Sequence, residues 1–193
     1  MSVTIAIPSR DQVHANFMFS FVSMMLATRM PLYVSNIRSS ILPVSRSILV
    51  ERAQDNKSDY ILFLDSDMVF PPDTLTRLLA HNKDIVCATY CRREGSTEPM
   101  GCTAEWQAIH PNAVGVGEAG RVPMGVMLIR MSVFDKMTKP YFRWAINEGK
   151  SEIVGEDVEF CDRARALGYK VWVDMELSRQ VGHIGEVTRF ING

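Results

Sequence analysis

The chain has 193 residues, 47% of them hydrophobic and 22% charged, with a formal net charge of −1. This length and balance predict one globular domain with a sizeable core, and they exclude a disordered or fibrous chain. Near-neutrality excludes a general electrostatic attraction to nucleic acid or to a membrane surface, although local basic clusters can still bind phosphate.

"VTIAI" (3–7) is a β-branched run ended by Pro8 and reads as a buried strand. Asp11 is placed to cap a helix reaching about Thr28, its apolar face formed by Val13, Phe17, Phe21, Met24 and Met25. "PLYVSNI" (31–37) predicts a second strand, and residues 43–56 a helix with Pro43 in its first turn. "DYILFL" (59–64) is the clearest strand. Pro71, Pro72 and Asp73 open a helix to about His81, and "DIVCATY" (84–90) is a fourth strand. Strand and helix thus alternate over the first 90 residues. The pattern predicts an α/β fold: a mostly parallel central sheet flanked by helices.

From Arg92 the pattern changes. Residues 92–121 are rich in glycine and proline and read as loops with short antiparallel strands. "RVPMGVMLIRMSVF" (121–134) is a strand running into a short helix, and "GEDVEFCDRARALGY" (155–169) a helix stopped by Gly168. "KVWVD" (170–174) is the final strand expected, followed by "GHIG" (182–185). Cys87, Cys91, Cys102 and Cys161 fit neither a common zinc pattern nor a disulfide scaffold, and read as free thiols, a Cys87–Cys91 metal pair being the lesser alternative. The start "MSVTIAIPSRD" lacks a basic leader, and the apolar window 17–26 is too short to span a bilayer. A cytoplasmic protein without a transmembrane segment is expected.

"ILFLDSDMVFPP" (61–72) drives an apolar strand into Asp65 and Asp67. Ligands of open α/β sheets bind beyond the carboxyl ends of the strands. Carboxylate oxygens suit Mg²⁺ or Mn²⁺, and an ion with few protein ligands keeps positions open for substrate phosphates. The bland alternative is that Asp67 begins a turn and Asp73 caps the next helix.

The run "SRSILVERAQDNKSDYILFLDSDMVFPPDTLTRLLAHNKDIVCATYCRR" resembles the first half of GT-A glycosyltransferases, especially the family 2-like group. The likeness extends to "IPSR" (7–10), "GEDVEFCDRARALGYKVWVD" and "GHIG", and is weak between them. It implies a single GT-A domain over 1–193, with a nucleotide-binding half (1–91) and an acceptor and catalytic half (92–193). The implied activity is metal-dependent transfer from a UDP- or GDP-linked sugar to a glycan or other hydroxyl acceptor, with Mn²⁺ or Mg²⁺ as cofactor. The chain is similar to the minimal catalytic cores of bacterial and large-virus glycan pathways, which would place a viral one in the host cytoplasm.

The resemblance also assigns roles. Pro8, Ser9 and Arg10 would touch the nucleotide, with Asp65 and Ser66. Arg46 would face the donor phosphate, an ion pair with Glu51 or Asp55 being the alternative. Asp65, Asp67 and His183 would hold the ion, with Asp67 in direct contact and Asp65 nearer the ribose or a metal-bound water. In "GED", Asp157 would be the base that deprotonates the acceptor in an inverting displacement, with Glu156 second or holding the acceptor. The bland reading of the same residues is a helix dipole complemented by Glu156, Asp157 and Glu159 at one end and Arg163 and Arg165 at the other. Gly125 in "VPMGVMLIR" would let substrate approach the backbone. Trp106 or Trp144 would offer a stacking face for sugar, or simply pack. Arg92–Arg93 would guard the diphosphate or be solvated. His14, His81 and His110 read as surface or structural.

"DSDMV" also satisfies the D-x-D-x-[TV] signature of haloacid dehalogenase-like phosphohydrolases. In that reading Asp65 is a nucleophile, Asp67 an acid/base, and Asp157 with Asp162 the late acidic motif. The lysine would be Lys136, Lys139 or Lys150. Against it, two strands precede a motif that belongs on the first. A third possibility is a binding module that has lost turnover.

Overall fold

A strand can lie in the middle of a sheet covered on both faces only if both sets of alternating side chains are apolar or paired. The seven residues of β1 (Val3–Ser9) meet that condition, and all are buried. We describe the chain from a computed structural model, which covers residues 1–93, 97–147, 149 and 152–185. Pairing of β1 with β2 (Leu32–Arg38) runs through Pro8 to Ser9, two residues past the expected end, while pairing with β3 (Tyr60–Leu64) stops at Ala6. Pro8 therefore sits where β1 has only one neighbour, which a residue without an N–H tolerates.

Between β1 and β2 lies α1 (Ala15–Ala27). Its cap is His14, whose ring accepts from the Asn16 N–H at 3.2 Å. The expected Asp11 cap is thus replaced, and residues 11–13 stay outside the helix. Next is α2 (Leu42–Asp55), with Pro43 in its first turn and a buried face of Arg46, Leu49, Val50 and Ala53. After β3 come the two-residue strand β4 (Met68–Val69) and α3 (Thr74–Ala80). Asp73 stands at the cap position of α3 without a side-chain cap bond. The turn is held by Thr74 Oγ1 donating to the Pro71 carbonyl at 2.7 Å. The fourth strand, β5 (Ile85–Cys87), is shorter than expected: the Ala88 N–H still donates to the Val126 carbonyl, but the Thr89 N–H turns to Ser178 Oγ.

The second half supplies β6 (Cys102–Thr103), β7 (Val116–Arg121), β8 (Val126–Arg130), α4 (Ser132–Asp135), and the hairpin of β9 (Ala145–Asn147) with β10 (Glu152–Val154). It continues with α5 (Glu156–Ala166), β11 (Val171–Asp174), α6 (Met175–Ser178) and β12 (Gly182–His183). Gly168, at φ +86°, takes the left-handed turn that stops the α5 region, as expected. "KVWVD" is not the last strand, because β12 follows and pairs antiparallel with β4.

Among the described residues, eight strands form one sheet in the order β2-β1-β3-β8-β5-β11-β7-β6. β1, β2 and β3 run parallel, and β5 runs parallel to β11. β8 lies antiparallel between β3 and β5, and β7 antiparallel to β11. Alternation along β3 separates the core into two layers. Ile61 and Phe63 pack towards α2 and α5, while Tyr60, Leu62 and Leu64 pack towards α1 and α3. All four cysteines are free, with Cys87 and Cys161 buried. Burial pushes the Cys161 thiol up to about 12. No described helix is long and apolar enough to cross a membrane.

Candidate active site

The carboxyl ends of β1, β2 and β3 open into a cleft of about 960 Å³. Its walls include Pro8, Ser9 and Arg10 from the end of β1, Ser39 and Ser40 after β2, and Asp65, Ser66 and Asp67 after β3. Tyr90, Arg93, Asp157 and His183 complete it. The fold thus brings together most of the residues singled out from the sequence. Ser9 is buried, and its hydroxyl donates to the Arg10 carbonyl at 3.0 Å and accepts from Asn36 Nδ2 at 2.9 Å. Arg10 is exposed on the cleft wall, where a ligand can reach it.

Arg46 lies elsewhere than expected. It is 1% exposed, beneath the floor of the cleft. Its Nη2 donates to Asp65 Oδ1 and Oδ2 at 2.9 and 3.1 Å, and its Nε to Glu156 Oε1 at 3.4 Å. Its Nη1 is buried without a hydrogen-bond partner, and the guanidinium lies over the Phe63 ring. It therefore cannot reach a donor phosphate; it positions the two carboxylates. The alternative ion pair with Glu51 is also absent, since Glu51 accepts from Lys139. Burial is the largest influence on Asp65 and, with the nearby Asp67 charge, pushes its pKa up despite Arg46.

The two acidic residues of "GED" part company at the start of α5. Glu156 turns inward to Arg46, whereas Asp157 lines the cleft. Asp157 Oδ1 accepts from the Val158 N–H at 2.8 Å. Burial, followed by the adjacent Glu156 charge, raises the Asp157 pKa above the ordinary carboxylate value. The helix N-terminus does not outweigh them. Glu159 is buried against Arg143 and Arg163.

The β4–β12 pair sets His183 beside Asp67, with Nε2 to Oδ2 at 3.5 Å, and the Ile184 N–H donates to the Asp67 carbonyl. Nδ1 of His183 faces the Cys91 carbonyl at 3.3 Å, which can only accept. Nε2 faces Arg93 Nε at 3.0 Å, which can only donate. Nε2 thus takes the Arg93 N–H on its lone pair. Burial works upward on Asp67, but its polar contacts, the Arg93 charge among them, outweigh burial and hold its pKa below the ordinary value.

Among the described residues, no group of three or more His, Cys, Asp or Glu side chains is arranged to hold a metal ion. Asp65, committed to Arg46, does not join the other two. Asp67 and His183 form a two-ligand pair: one hard oxygen and one imidazole lone pair. Two ligands at right angles around an ion at about 2.1 Å lie about 3 Å apart. The observed 3.5 Å fits that requirement with a small adjustment.

The two acceptor expectations are corrected. The space beside Gly125 is filled by Tyr90: a Cβ there would meet its hydroxyl oxygen at 2.4 Å, and the Gly125 N–H donates to that oxygen at 3.0 Å. The glycine admits Tyr90, not substrate. Burial, with the Asp65 charge next, pushes the Tyr90 phenol well up, so it stays protonated. Trp106 is 54% exposed at φ +64°, away from the cleft, between the guanidinium groups of Arg121 and Arg165. Among the histidines read as structural, His81 pairs with the buried Asp174, but His14 lines the cleft. Tyr90, Ser39 and Ser40 were not singled out from the sequence; their position just past strand ends is the signal that marks them.

The phosphohydrolase reading needs Asp65 as a free nucleophile, and both of its oxygens are held by Arg46. Asp162, its late acidic partner, pairs with Arg121 outside the cleft. Lys136 and Lys139 do not line the cleft, and Lys150 lies outside the described residues.

The mixed sheet, with β8 reversed between β3 and β5, has the GT-A fold, on its likeness to solved structures. The chain is similar to A197 from STIV, with TM-score 0.63 and 16% identity over 100% of this chain and 99% of that one. It is similar to GalNAc-T7, in a structure with UDP, GalNAc and Mn²⁺, at TM-score 0.66 and 13% identity over 97% of this chain and 44% of that one. It is also similar to TarS of S. aureus, residues 1–349, at TM-score 0.55 and 13% identity over 95% of this chain and 60% of that one. The chain thus spans less than two thirds of the GalNAc-T7 and TarS chains. No family model matches the sequence, and no curated protein matches it.

Proposed function

We propose that the chain is a metal-dependent, inverting glycosyltransferase that moves a sugar from a UDP- or GDP-linked donor to a hydroxyl acceptor, a glycan being the best candidate. The observation that carries this reading is the meeting of Ser66, Asp67, His183 and Asp157 with the exposed Arg10 in one cleft at the carboxyl ends of β1 and β3. The structure of GalNAc-T7 with UDP, GalNAc and Mn²⁺ supports the choice of ligand class. Residues 1–193 would act as one domain, in the cytoplasm.

Asp67 and His183 would hold Mn²⁺ or Mg²⁺, which when bound supplies positive charge for the departing diphosphate. Arg10 and the Ser66 region would orient the nucleotide. Asp157 uses one oxygen for the Val158 N–H, and its other oxygen is the base. The acceptor oxygen attacks the anomeric carbon and its proton passes to Asp157. The bond to the diphosphate oxygen breaks with its electron pair on that oxygen, and the anomeric centre inverts.

A panel of nucleoside diphosphates and nucleotide sugars, titrated with and without Mn²⁺, tests this. Metal-dependent binding of one diphosphate is expected. Failure of every nucleotide to bind, or Mg²⁺-dependent phosphate release from simple esters, would sink the reading.

A further inference from the structure

Arg93 occupies the place between the two side chains that would hold the ion. Its Nη2 donates to Asp67 Oδ2, and its Nε to His183 Nε2 at 3.0 Å. These are the same oxygen and lone pair that a divalent ion would use. Backbone packing builds this position. His183 Nδ1 lies 3.3 Å from the Cys91 carbonyl, and a Cβ on Gly185 would meet the Arg93 carbonyl oxygen at 2.7 Å. Segment 91–93 is therefore laid closely along 183–185, and Gly185 permits the approach.

The Arg93 side chain is nevertheless 58% exposed, against 24% for Asp67 and 15% for His183. It can swing into the cleft while its two partners stay put. A guanidinium does not lose its proton, and its fork of donors matches phosphate oxygens as well as carboxylate.

We propose that Arg93 is a built-in cation that occupies the Asp67–His183 pair until a diphosphate arrives, so that the metal ion enters with the nucleotide and not ahead of it. The inference rests on the metal-dependent reading above. A free ion must displace the guanidinium and leave it without an anionic partner. A diphosphate in the same cleft offers Arg93 new oxygens, which offsets the cost of releasing Asp67 and His183. Nucleotide and metal then favour each other's binding by one common factor, and Arg93 contributes to that factor.

The test uses the full chain with Mn²⁺ as the probe, its affinity read from the free-ion paramagnetic resonance signal without nucleotide. UDP and GDP affinities are measured separately, with and without Mn²⁺. Arg93→Ala and Arg93→Gln are expected to bind Mn²⁺ alone about tenfold tighter than the parent, within the usual range of coupling between sites. The ratio of nucleotide affinities with and without Mn²⁺ is expected to shrink by a similar factor. Unchanged or weaker Mn²⁺ binding in both variants, with Asp67→Ala still lowering it, overturns the role of Arg93 and leaves the metal reading standing. If neither parent nor variants bind Mn²⁺ and nucleotide affinity ignores it, both readings fall.

Discussion

Arg46 Nη2 donates to both oxygens of Asp65, at 2.9 and 3.1 Å, from a side chain that is almost wholly buried. The same guanidinium reaches Glu156 beside the catalytic candidate. One residue of α2 thereby ties the carboxylate strand to the start of α5. Removing one partner of a buried ion pair leaves the other charge unpaired, at a cost of about 3–5 kcal/mol. Arg46→Ala is expected to lower the unfolding free energy by about that amount, read from denaturant midpoints at constant slope. A loss below about 1 kcal/mol would show that the pair is not the strut described.

Asp157 must be ionised to accept a proton, and burial with the Glu156 charge raises its pKa. Transfer is therefore expected to fall as pH drops through a value above the ordinary carboxylate range. Glu156→Gln removes the neighbouring negative charge and is expected to move that acid limb to lower pH. Asp157→Asn is expected to lower kcat by roughly 10²–10⁴-fold and abolish the limb. Pre-steady-state or initial-rate pH profiles check all three; near-normal transfer by Asp157→Asn would remove the residue from the mechanism.

Chelation is expected to lower transfer by at least about 10²-fold, because an ion supplies several kcal/mol of stabilisation to a departing diphosphate. Mn²⁺ should restore the rate. Asp67→Ala and His183→Ala should each weaken that rescue, measured as the Mn²⁺ concentration giving half of the maximal rate. Full activity in chelator would leave the Asp67–His183 pair as an ordinary polar contact.

Gly125→Ala sets a Cβ against the Tyr90 hydroxyl and ring carbon and against Met68 Sδ. Overpacking of this kind costs about 1–3 kcal/mol. Tyr90→Phe in the same chain removes the nearest atom and is expected to recover part of the loss, although it leaves the Gly125 N–H without its partner. A thermal-unfolding double-mutant cycle reads the coupling. Additive effects would mean that the two residues do not meet as described.

Much of the site was legible because its signals are local. An apolar run ending in "DSD" marks a strand end, and "GED" before an apolar-patterned run marks a helix start, wherever the chain later travels. The buried position of Arg46 had a local signal as well: its spacing to Leu49, Val50 and Ala53 puts it on the inner face of α2. That apolar spacing points inward, whereas the resemblance alone points Arg46 to phosphate. Trp106 misled because an aromatic in an irregular segment says nothing about which edge of the sheet that segment reaches.

By itself the sequence determined most elements of the first half, the alternation that makes that half parallel, and the strand end that carries Asp65 and Asp67. Those follow from side-chain periodicity and from proline and glycine, which act over a few residues. Only the tertiary structure decided that β8 runs backwards between β3 and β5, that Tyr90 fills the space at Gly125, and that Arg93 lies on Asp67 and His183. Each joins residues remote in the chain. Their meeting depends on strand order and on which charge finds which partner once water is excluded, and neither is written in any local run of residues.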